Sequence, residues 1–263
     1  MTEWWQAILL AVLQGVTEFL PVSSSAHLIL PSQILGWPDQ GLLFDVSVHA
    51  GTLLAVAYYF RATLMQFLIG FIPGEGRDRS EFWALCIGTL PVVIAGVFLR
   101  EIIASDARGA LVIAATTLFF GVLLGLADRL ARRQHNQRLA ISLRDALLIG
   151  LAQMLALVPG TSRSGVTITA ALFLGYSAPV ATRFSFLLSI PVILGASIVM
   201  LASAPEDNAP SAGGVVLPAL LVSALVAYGT ISLFMEWVAK VGLMPFVIYR
   251  LILGVLLLAW ALQ

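Results

Sequence analysis

Apolar residues run along this chain in long blocks that short polar segments separate. Six of the blocks are close to the length of about 20 residues that a helix needs to cross the hydrocarbon core of a bilayer. The tryptophans lie near the ends of apolar blocks, as in the aromatic belt of a membrane protein. The pattern predicts six membrane-spanning helices, at about Leu42–Phe60, Phe82–Leu99, Ala110–Ala127, Phe184–Ser203, Val215–Met235 and Pro245–Leu262.

Two further apolar stretches are interrupted by polar residues. The interruptions are Pro21–Ser25, called here the first break, and Pro159–Gly165, the second break. The apolar pieces beside each break are too short to cross a membrane with ease, so each stretch predicts a re-entrant helix–loop–helix segment. Irregular backbone at membrane depth is tolerated only when it is buried in protein or lines a wet cavity. The two breaks are therefore the first places to look for function.

The two breaks also correspond to each other along the chain. A shift of 138 positions aligns four pairs: Pro21 with Pro159, Ser24 with Ser162, Asp45 with Arg183 and Ser47 with Ser185. The shift predicts one membrane domain over residues 1–263, made of two repeats. The first repeat covers about 1–130, the second about 145–263, and a polar linker at about 129–144 joins them.

Basic residues in the short loops predict the orientation. The linker carries five arginines, which places it in the cytoplasm by the positive-inside rule. Segment 61–81 then lies on the cytoplasmic side, and loops 100–109 and 204–214 lie outside. This arrangement makes the two breaks enter the membrane from opposite faces. The predicted fold is thus all-α and integral to the membrane, with inverted-topology repeats whose breaks meet near the midplane.

Composition agrees with a membrane protein. The 263 residues are 60% hydrophobic and 11% charged, against about 25% charged residues in soluble domains. The formal net charge is zero, so nothing suggests a nucleic-acid partner. The expected partner is a membrane lipid, and no obligate protein partner is inferred.

Ionisable residues inside a bilayer are costly, so each is a functional candidate. Three lie in or beside the breaks: Glu18, His27 and Arg163. The others are expected to be structural. Asp45 and Arg183 occupy equivalent repeat positions and are expected at interfaces, His49 is expected to form an interhelical hydrogen bond, and Arg250 is expected to snorkel to the membrane surface. These remaining residues are Asp45, His49, Arg183 and Arg250.

The residue types at the breaks suit phosphate chemistry. Free helix N-termini attract anions, and the guanidinium of Arg163 fits phosphate oxygens. Gln14 and Glu18 share a helix face and offer oxygen ligands for a divalent cation. Ser24 is a possible nucleophile, with His27 or Glu18 moving its proton. The simpler interpretation of serines at a helix start is that they only cap the helix.

The segment from Gln14 to His27, Gln-Gly-Val-Thr-Glu-Phe-Leu-Pro-Val-Ser-Ser-Ser-Ala-His, resembles the first signature of the BacA/UppP family. The segment from Pro159 to Thr167, Pro-Gly-Thr-Ser-Arg-Ser-Gly-Val-Thr, resembles its second. Ala181–Pro191 is also similar. These are undecaprenyl-diphosphate phosphatases of bacterial membranes, and the likeness covers essentially the whole chain.

The resemblance implies hydrolysis of undecaprenyl diphosphate to the monophosphate carrier lipid of cell-wall synthesis, a process linked to bacitracin resistance. It implies the same six-span, two-re-entrant fold and a divalent cation, Mg²⁺ or Ca²⁺. It assigns catalysis to Glu18, Ser24, His27 and Arg163, and the metal to Glu18 with Gln14, where many members have Glu. Phosphate contacts are expected from Ser23, Ser25, Thr161, Ser162, Ser164 and Thr167.

Two questions stay open at this point. The nucleophile is either Ser24 or a metal-activated water. The chain is either this phosphatase or a transporter or flippase that binds an anionic lipid or small anion at the same inverted-repeat site, because the fold alone is compatible with both. As a phosphatase it is expected in the bacterial cytoplasmic (inner) membrane, with an active site that opens to the periplasmic face.

Overall fold

The computed structural model describes residues 4–38, 41–72, 79–106, 109–134, 137–202 and 213–262. These residues form α-helices, one short 3-10 helix and a single isolated β-bridge, and no β-strand occurs among them. The helices are α1 Trp4–Thr17, α2 Ser24–Leu35, α3 Leu42–Tyr59, α4 Arg61–Gly70, α5 Ser80–Asp106, α6 Ala110–Arg133, α7 Leu143–Gln153, the 3-10 helix Met154–Leu157, α8 Arg163–Phe173, α9 Ala178–Ala202, α10 Gly213–Val238 and α11 Met244–Ala261.

Six of these helices, α3, α5, α6, α9, α10 and α11, are long and apolar enough to span a membrane. The predicted all-α integral membrane fold with six membrane-spanning helices is therefore confirmed. Three boundaries differ clearly from the prediction, because helices continue beyond their apolar blocks. Helix α5 extends past the predicted Leu99 to Asp106, through most of the predicted loop 100–109. Helix α9 begins at Ala178, before the predicted Phe184, and α6 extends past Ala127 to Arg133.

The predicted loops are only partly described. Segment 61–81 is not all loop: it holds α4 and the start of α5, and its residues 73–78 lie outside the described ranges. Loop 204–214 lies outside them up to residue 212, loop 100–109 at 107–108, and the linker at 135–136. Where it is described, the linker docks on the protein, since Arg138 forms an ion pair with Asp145 of α7 at 2.6 Å.

The two interrupted stretches form short paired helices, α1 with α2 and α7 with α8, which fits the predicted re-entrant segments. Ser23 and Ser162 precede the returning helices with left-handed φ angles of 76° and 72°. The breaks thus correspond by 139 positions at these residues, one more than the 138 that the sequence suggested. The reason is that the second break has one more residue between its proline and the serine before the helix.

Helices of one predicted repeat pack largely on helices of the other. In the first half α1 and α3 both contact α10, and in the second half α7 and α9 both contact α5. Helix α6 packs on α11, and α3 on α9. This exchange of partners is what a two-fold relation between the repeats would produce.

Small residues permit these close helix contacts, as is common in membranes. A Cβ added at Gly51 of α3 would lie 2.0 Å from the hydroxyl oxygen of Ser223 in α10. A Cβ added at Gly150 of α7 would lie 2.4 Å from the carbonyl oxygen of Gly88 in α5. Arg183 of α9 adds an ion pair with Glu81 of α5, which agrees with its expected structural role.

Candidate active site

The two breaks meet in the structure through direct side-chain contacts. Arg163, the first residue of α8, donates from Nη2 to Oε1 of Glu18 at 3.2 Å and to the Glu18 carbonyl at 3.4 Å. Ser164 donates from its hydroxyl to the carbonyl of Leu20 at 2.9 Å. The predicted encounter of the two re-entrant tips therefore places an arginine of one tip on a carboxylate of the other.

Glu18 is the centre of a buried hydrogen-bond cluster. It is 7% exposed, and its Oε2 accepts hydrogen bonds from Ser24 Oγ at 2.7 Å and from Gln14 Nε2 at 3.0 Å. Its other oxygen faces Arg163. This carboxylate is held between a cation and a hydroxyl, in a position to accept the hydroxyl proton of Ser24.

The start of α2 leaves backbone donors free for an anion. Ser23 precedes the helix but makes no side-chain capping bond. Its hydroxyl lies instead 3.2 Å from that of Ser25. The first N–H groups of a helix have no intrahelical acceptor, so those of Ser24 and Ser25 can serve a phosphate oxygen.

The start of α8 is more fully bonded within the protein. Ser162 accepts from the Gly165 N–H at 3.1 Å and lies 3.3 Å from the Ser164 hydroxyl. The hydroxyl of Thr167 donates to the Arg163 carbonyl at 2.9 Å and contacts Ser185 Oγ at 2.7 Å. These predicted phosphate contacts lie at the site, but their hydroxyls have protein partners.

Thr161 differs from its neighbours in the second break. It is fully buried, and its hydroxyl has no hydrogen-bond partner among the described residues. An unpaired buried hydroxyl costs free energy, which a ligand oxygen or a water would recover.

His27 is placed away from the Glu18–Ser24 pair. Its Nδ1 lies 2.7 Å from the carbonyl of Ser23, and its Nε2 lies 2.6 Å from the hydroxyl of Tyr249 in α11. Because the carbonyl can only accept, Nδ1 donates, and in the neutral ring Nε2 accepts from Tyr249. No hydrogen bond joins His27 to Ser24 or Glu18 in the described part of the chain.

His49 of α3 faces the same carboxylate from another side. Its Nε2 lies 3.9 Å from Glu18 Oε2, while its Nδ1 donates to the carbonyl of Asp45 within α3 at 2.7 Å. The expected interhelical hydrogen bond is thus replaced by an intrahelical one. The sequence analysis did not identify Tyr249, and it noted Ser185 only as the repeat partner of Ser47; both come from helices distant in the chain.

Arg250 corrects a prediction. It does not snorkel: it is fully buried, and among the described residues its guanidinium donates to backbone carbonyls. Its acceptors belong to both breaks and to α6: Gly160 and Thr161 at 3.0 Å, Thr117 at 3.2 Å, Pro21 and Thr116 at 3.4 Å. The broken helices leave carbonyls without helical partners, and Arg250 satisfies several of them at once.

Gly160 allows the second break to lie against α6. Its φ of +88° is in the left-handed region, and an added Cβ would lie 2.2 Å from Thr116 Oγ1. The same threonine hydroxyl donates to the carbonyl of Pro159 at 2.7 Å. A glycine is needed here both for its backbone conformation and for the close approach.

Gln14 and Glu18 fit one side of a divalent-cation site. The Oε1 of Gln14 is buried and has no hydrogen-bond partner among the described residues, and it belongs to the amide that donates to Glu18. Hard cations such as Mg²⁺ are commonly bound through one or two protein oxygens plus substrate phosphates. No group of three or more His, Cys, Asp or Glu side chains in the described ranges forms a complete metal site.

Comparison with known proteins agrees with this geometry. The family described as bacitracin resistance protein BacA matches residues 7–256. A protein named undecaprenyl-diphosphatase from Hahella chejuensis is 50% identical over 262 residues, covering 98% of each chain. One of the same name from Chromohalobacter salexigens is 51% identical, covering 98% of this chain and 99% of the relative. Another from Alcanivorax borkumensis is 51% identical with the same coverage.

The matched region takes in both breaks and every helix that brings a side chain to them. The resemblance first noted in two short signatures therefore extends over nearly the whole molecule. This chain belongs to the BacA family.

Proposed function

We propose that this protein is an undecaprenyl-diphosphate phosphatase, which hydrolyses the lipid diphosphate to undecaprenyl phosphate and inorganic phosphate. The observation that carries the proposal is the contact of Glu18 with both Ser24 and Arg163. A nucleophile, a proton acceptor and a phosphate-binding cation thus lie within one hydrogen-bond cluster. The names and full-length similarity of the relatives support the same activity.

Substrate binding follows from the donors around this cluster. The terminal phosphate accepts hydrogen bonds from the free N–H groups at the start of α2 and from Arg163. The Thr161 hydroxyl, which has no partner among the described residues, lies in the same break as Arg163 and supplies a further contact. Arg163 then divides its donors between Glu18 and phosphate, which neutralises charge that develops on the transferred group.

Proton transfer is assigned to Glu18. Its Oε2 already accepts from Ser24 Oγ at 2.7 Å, so it can remove the hydroxyl proton as the oxygen attacks the terminal phosphorus. The bond from phosphorus to the bridging oxygen breaks, and the lipid monophosphate leaves as an anion. Water then hydrolyses the phosphoserine. In the alternative mechanism a water attacks directly, and Glu18 takes the proton from that water.

His27 remains a candidate for catalysis, in a later step than the attack. Its neutral ring is oriented by the Ser23 carbonyl and by Tyr249, and it belongs to the first turn of the same helix as Ser24. From there it can transfer a proton to or from phosphate oxygens once substrate is bound.

A divalent cation, Mg²⁺ or Ca²⁺, would be held by the oxygens of Gln14 and Glu18. When bound it would withdraw charge from the diphosphate oxygens and help to orient them. Because Gln14 is a neutral amide and Arg163 already pairs with Glu18, the protein contributes little net negative charge to such a cation. We infer that the diphosphate supplies the remaining negative ligands.

We place the protein in the bacterial inner membrane, with the site open to the periplasmic face. The proposal is supported by the arginine-rich linker, which favours a cytoplasmic position by the positive-inside rule. The position of the first break supports the same orientation. This break precedes the start of α3, whereas α4, in the segment predicted to be cytoplasmic, follows the end of α3.

The test is phosphate release from undecaprenyl diphosphate by protein purified in detergent. Unmodified protein should release phosphate, and Glu18→Gln and Ser24→Ala should reduce the rate strongly. Arg61→Lys is a matched control, because Arg61 is exposed and, within the described ranges, contacts the carbonyl and ring of the nearby Tyr58. Detergent abolishes any gradient, so a transporter or flippase that only binds the lipid would release no phosphate.

A further inference from the structure

A separate apolar cavity lies beside the active site. It has a volume of about 610 Å³ and lies between the start of α3, helices α5 and α9, and the 3-10 helix before the second break. Its lining consists only of aliphatic residues, a methionine and glycines. It contains none of the polar residues assigned above to phosphate chemistry.

Two helices fix the position of the cavity relative to the active site. Helix α3 carries His49, which faces Glu18, and Leu42, which lines the cavity. Helix α9 carries Ser185, which accepts from Arg163, and Val192, which lines the cavity. Seven residues separate the two positions in each helix, which is about 10 Å along a helix axis.

The two helices run in opposite directions from the site to the cavity. The cavity residue precedes the site residue in α3 and follows it in α9. Both helices therefore reach the cavity on the same side of the site, which is the side where α3 begins. In the predicted orientation that end faces the periplasm.

The cavity opens sideways toward the bilayer. Val97 of α5 and Ile198 of α9 line it and are 53% and 57% exposed. Both helices are membrane-spanning, so these exposed apolar side chains face hydrocarbon. A flexible apolar chain can therefore enter from the lipid phase without crossing water.

We propose that the cavity binds the polyprenyl chain of the substrate next to its diphosphate. This inference rests on the proposed function and extends it from the diphosphate to the polyprenyl chain of the substrate. A polyprenyl diphosphate joins a multiply charged head to a long apolar tail, so a site for it needs a polar and an apolar part side by side. The cavity supplies the apolar part about two helical turns from His49 and Ser185 of the site, and its size is in the usual range for ligand pockets.

Two glycines make this proposal testable. Gly195 of α9 lines the cavity, and no atom lies within 4 Å of a Cβ added there. Gly96 of α5 lines it too, and its added Cβ would meet only Leu157 Cδ2, at 3.9 Å. The first side-chain atom of a substitution at either position therefore meets no clash, and a larger side chain takes up space in the cavity that these glycines line. Gly229 of α10 offers the same open space outside the cavity and is the matched control.

The experiment compares two substrates, undecaprenyl diphosphate and dimethylallyl diphosphate, whose single isoprene unit is too short to reach the cavity, with full-length protein in detergent. The measured quantity is the ratio of kcat/KM for the long substrate to that for the short one. Gly195→Leu should lower this ratio about tenfold, mainly through KM, the effect of a few lost methylene contacts in an apolar pocket. Gly195→Ala should lower it less, and Gly229→Leu should leave it unchanged.

Each result decides the question. An unchanged ratio in Gly195→Leu would overturn the proposal, since the cavity would then hold only bulk lipid chains. An equal loss for both substrates would also overturn it, because the substitution would be acting on the phosphate site. If Gly195→Leu does not fold, Gly96→Leu fills the cavity from the opposite helix and must give the same result. Failure of the unmodified protein to hydrolyse either substrate would instead reject the proposed function.

Discussion

The most demanding prediction concerns Arg250, the buried arginine that joins both breaks. We consider the substitution Arg250→Lys, which keeps the positive charge but replaces three nitrogen donors by one. In the native protein Nε donates to Thr117, Nη1 to Thr161 and Pro21, and Nη2 to Gly160 and Thr116. A lysine ammonium can take the place of one of these nitrogens, and the carbonyls of the other two lose their donor.

The magnitude follows from the number of stranded acceptors. If the ammonium replaces Nη1, the Gly160 carbonyl loses its closest donor and keeps the longer bond from the Thr117 hydroxyl at 3.4 Å, whereas the Thr117 carbonyl lies inside α6, where the helix supplies a donor. A buried acceptor that loses its partner costs about 1–3 kcal/mol. Arg250→Lys should therefore lower the free energy of unfolding by about 1–3 kcal/mol. Activity should fall as well, because the bonds from Arg250 to the carbonyls of Pro21, Gly160 and Thr161 fix the two breaks beside Glu18 and Arg163.

The assay is thermal unfolding of the purified protein in one detergent, followed alongside phosphate release at a temperature where each variant is folded. Arg61→Lys is the control, since Arg61 is exposed and, in the part of the chain that the structure describes, contacts the Tyr58 carbonyl and ring. That variant should unfold like the unmodified protein. The reasoning would be refuted if Arg250→Lys unfolded at the same temperature as Arg61→Lys, because the carbonyl contacts would then contribute nothing to stability.

Three further predictions follow from the site and the topology. Arg163→Lys should reduce kcat about 100- to 1,000-fold, the usual cost of losing one preorganised charge-stabilising donor, with a smaller change in KM; a mild effect would reduce Arg163 to an anchor. Glu18→Gln should abolish phosphate release or raise the metal requirement steeply, whereas Gln14→Glu should keep activity and bind Mg²⁺ more tightly in a chelator titration; normal turnover of Glu18→Gln at low metal would remove Glu18 from the metal site. With Cys86 replaced by serine, a cysteine placed in linker 129–144 should react only from the cytoplasm and one in 204–214 only from outside, and labelling of both from one side would contradict the inverted repeats.

Sequence patterns predicted the membrane spans well because hydrophobicity is a local property. The predicted Leu42–Phe60 and the observed Leu42–Tyr59 differ by one residue. The predicted helix ends were wrong where a helix continues beyond its apolar block, as α9 does by beginning at Ala178 instead of Phe184. A helix can continue beyond the hydrocarbon core of the membrane, so hydrophobicity alone does not mark where the helix ends.

The site was harder to predict, because its partners come from distant parts of the chain. Glu18 and Arg163 are separated by 145 positions, and His27 and Tyr249 by 222. The breaks marked where polar chemistry lies, but they did not specify which side chains from α3, α9 and α11 complete it. Periodicity within a single helix cannot assign these pairs.

Arg250 was misassigned for a related reason. From sequence it is one charge near the start of an apolar block, where an arginine commonly extends to the interface. Its true environment consists of carbonyls from both breaks and from α6, which come together around Arg250 only when the protein has folded. That requirement is a property of the assembled protein, so no local pattern could have revealed it.

The exchange of helix partners has a consequence for how the protein is made. Ribosomes deliver the first repeat to the membrane before the second, yet α1 and α3 find their principal contacts on α10. Until α10 is inserted, the first repeat therefore lies in the bilayer without these contacts, and Glu18 and the serines of the first break are only partly covered by protein. Arg250 is in α11, the last helix that the structure describes, so the active site cannot be completed until that helix has been inserted. A protein truncated before α11 would thus lack the arginine that joins both breaks, and it would be inactive.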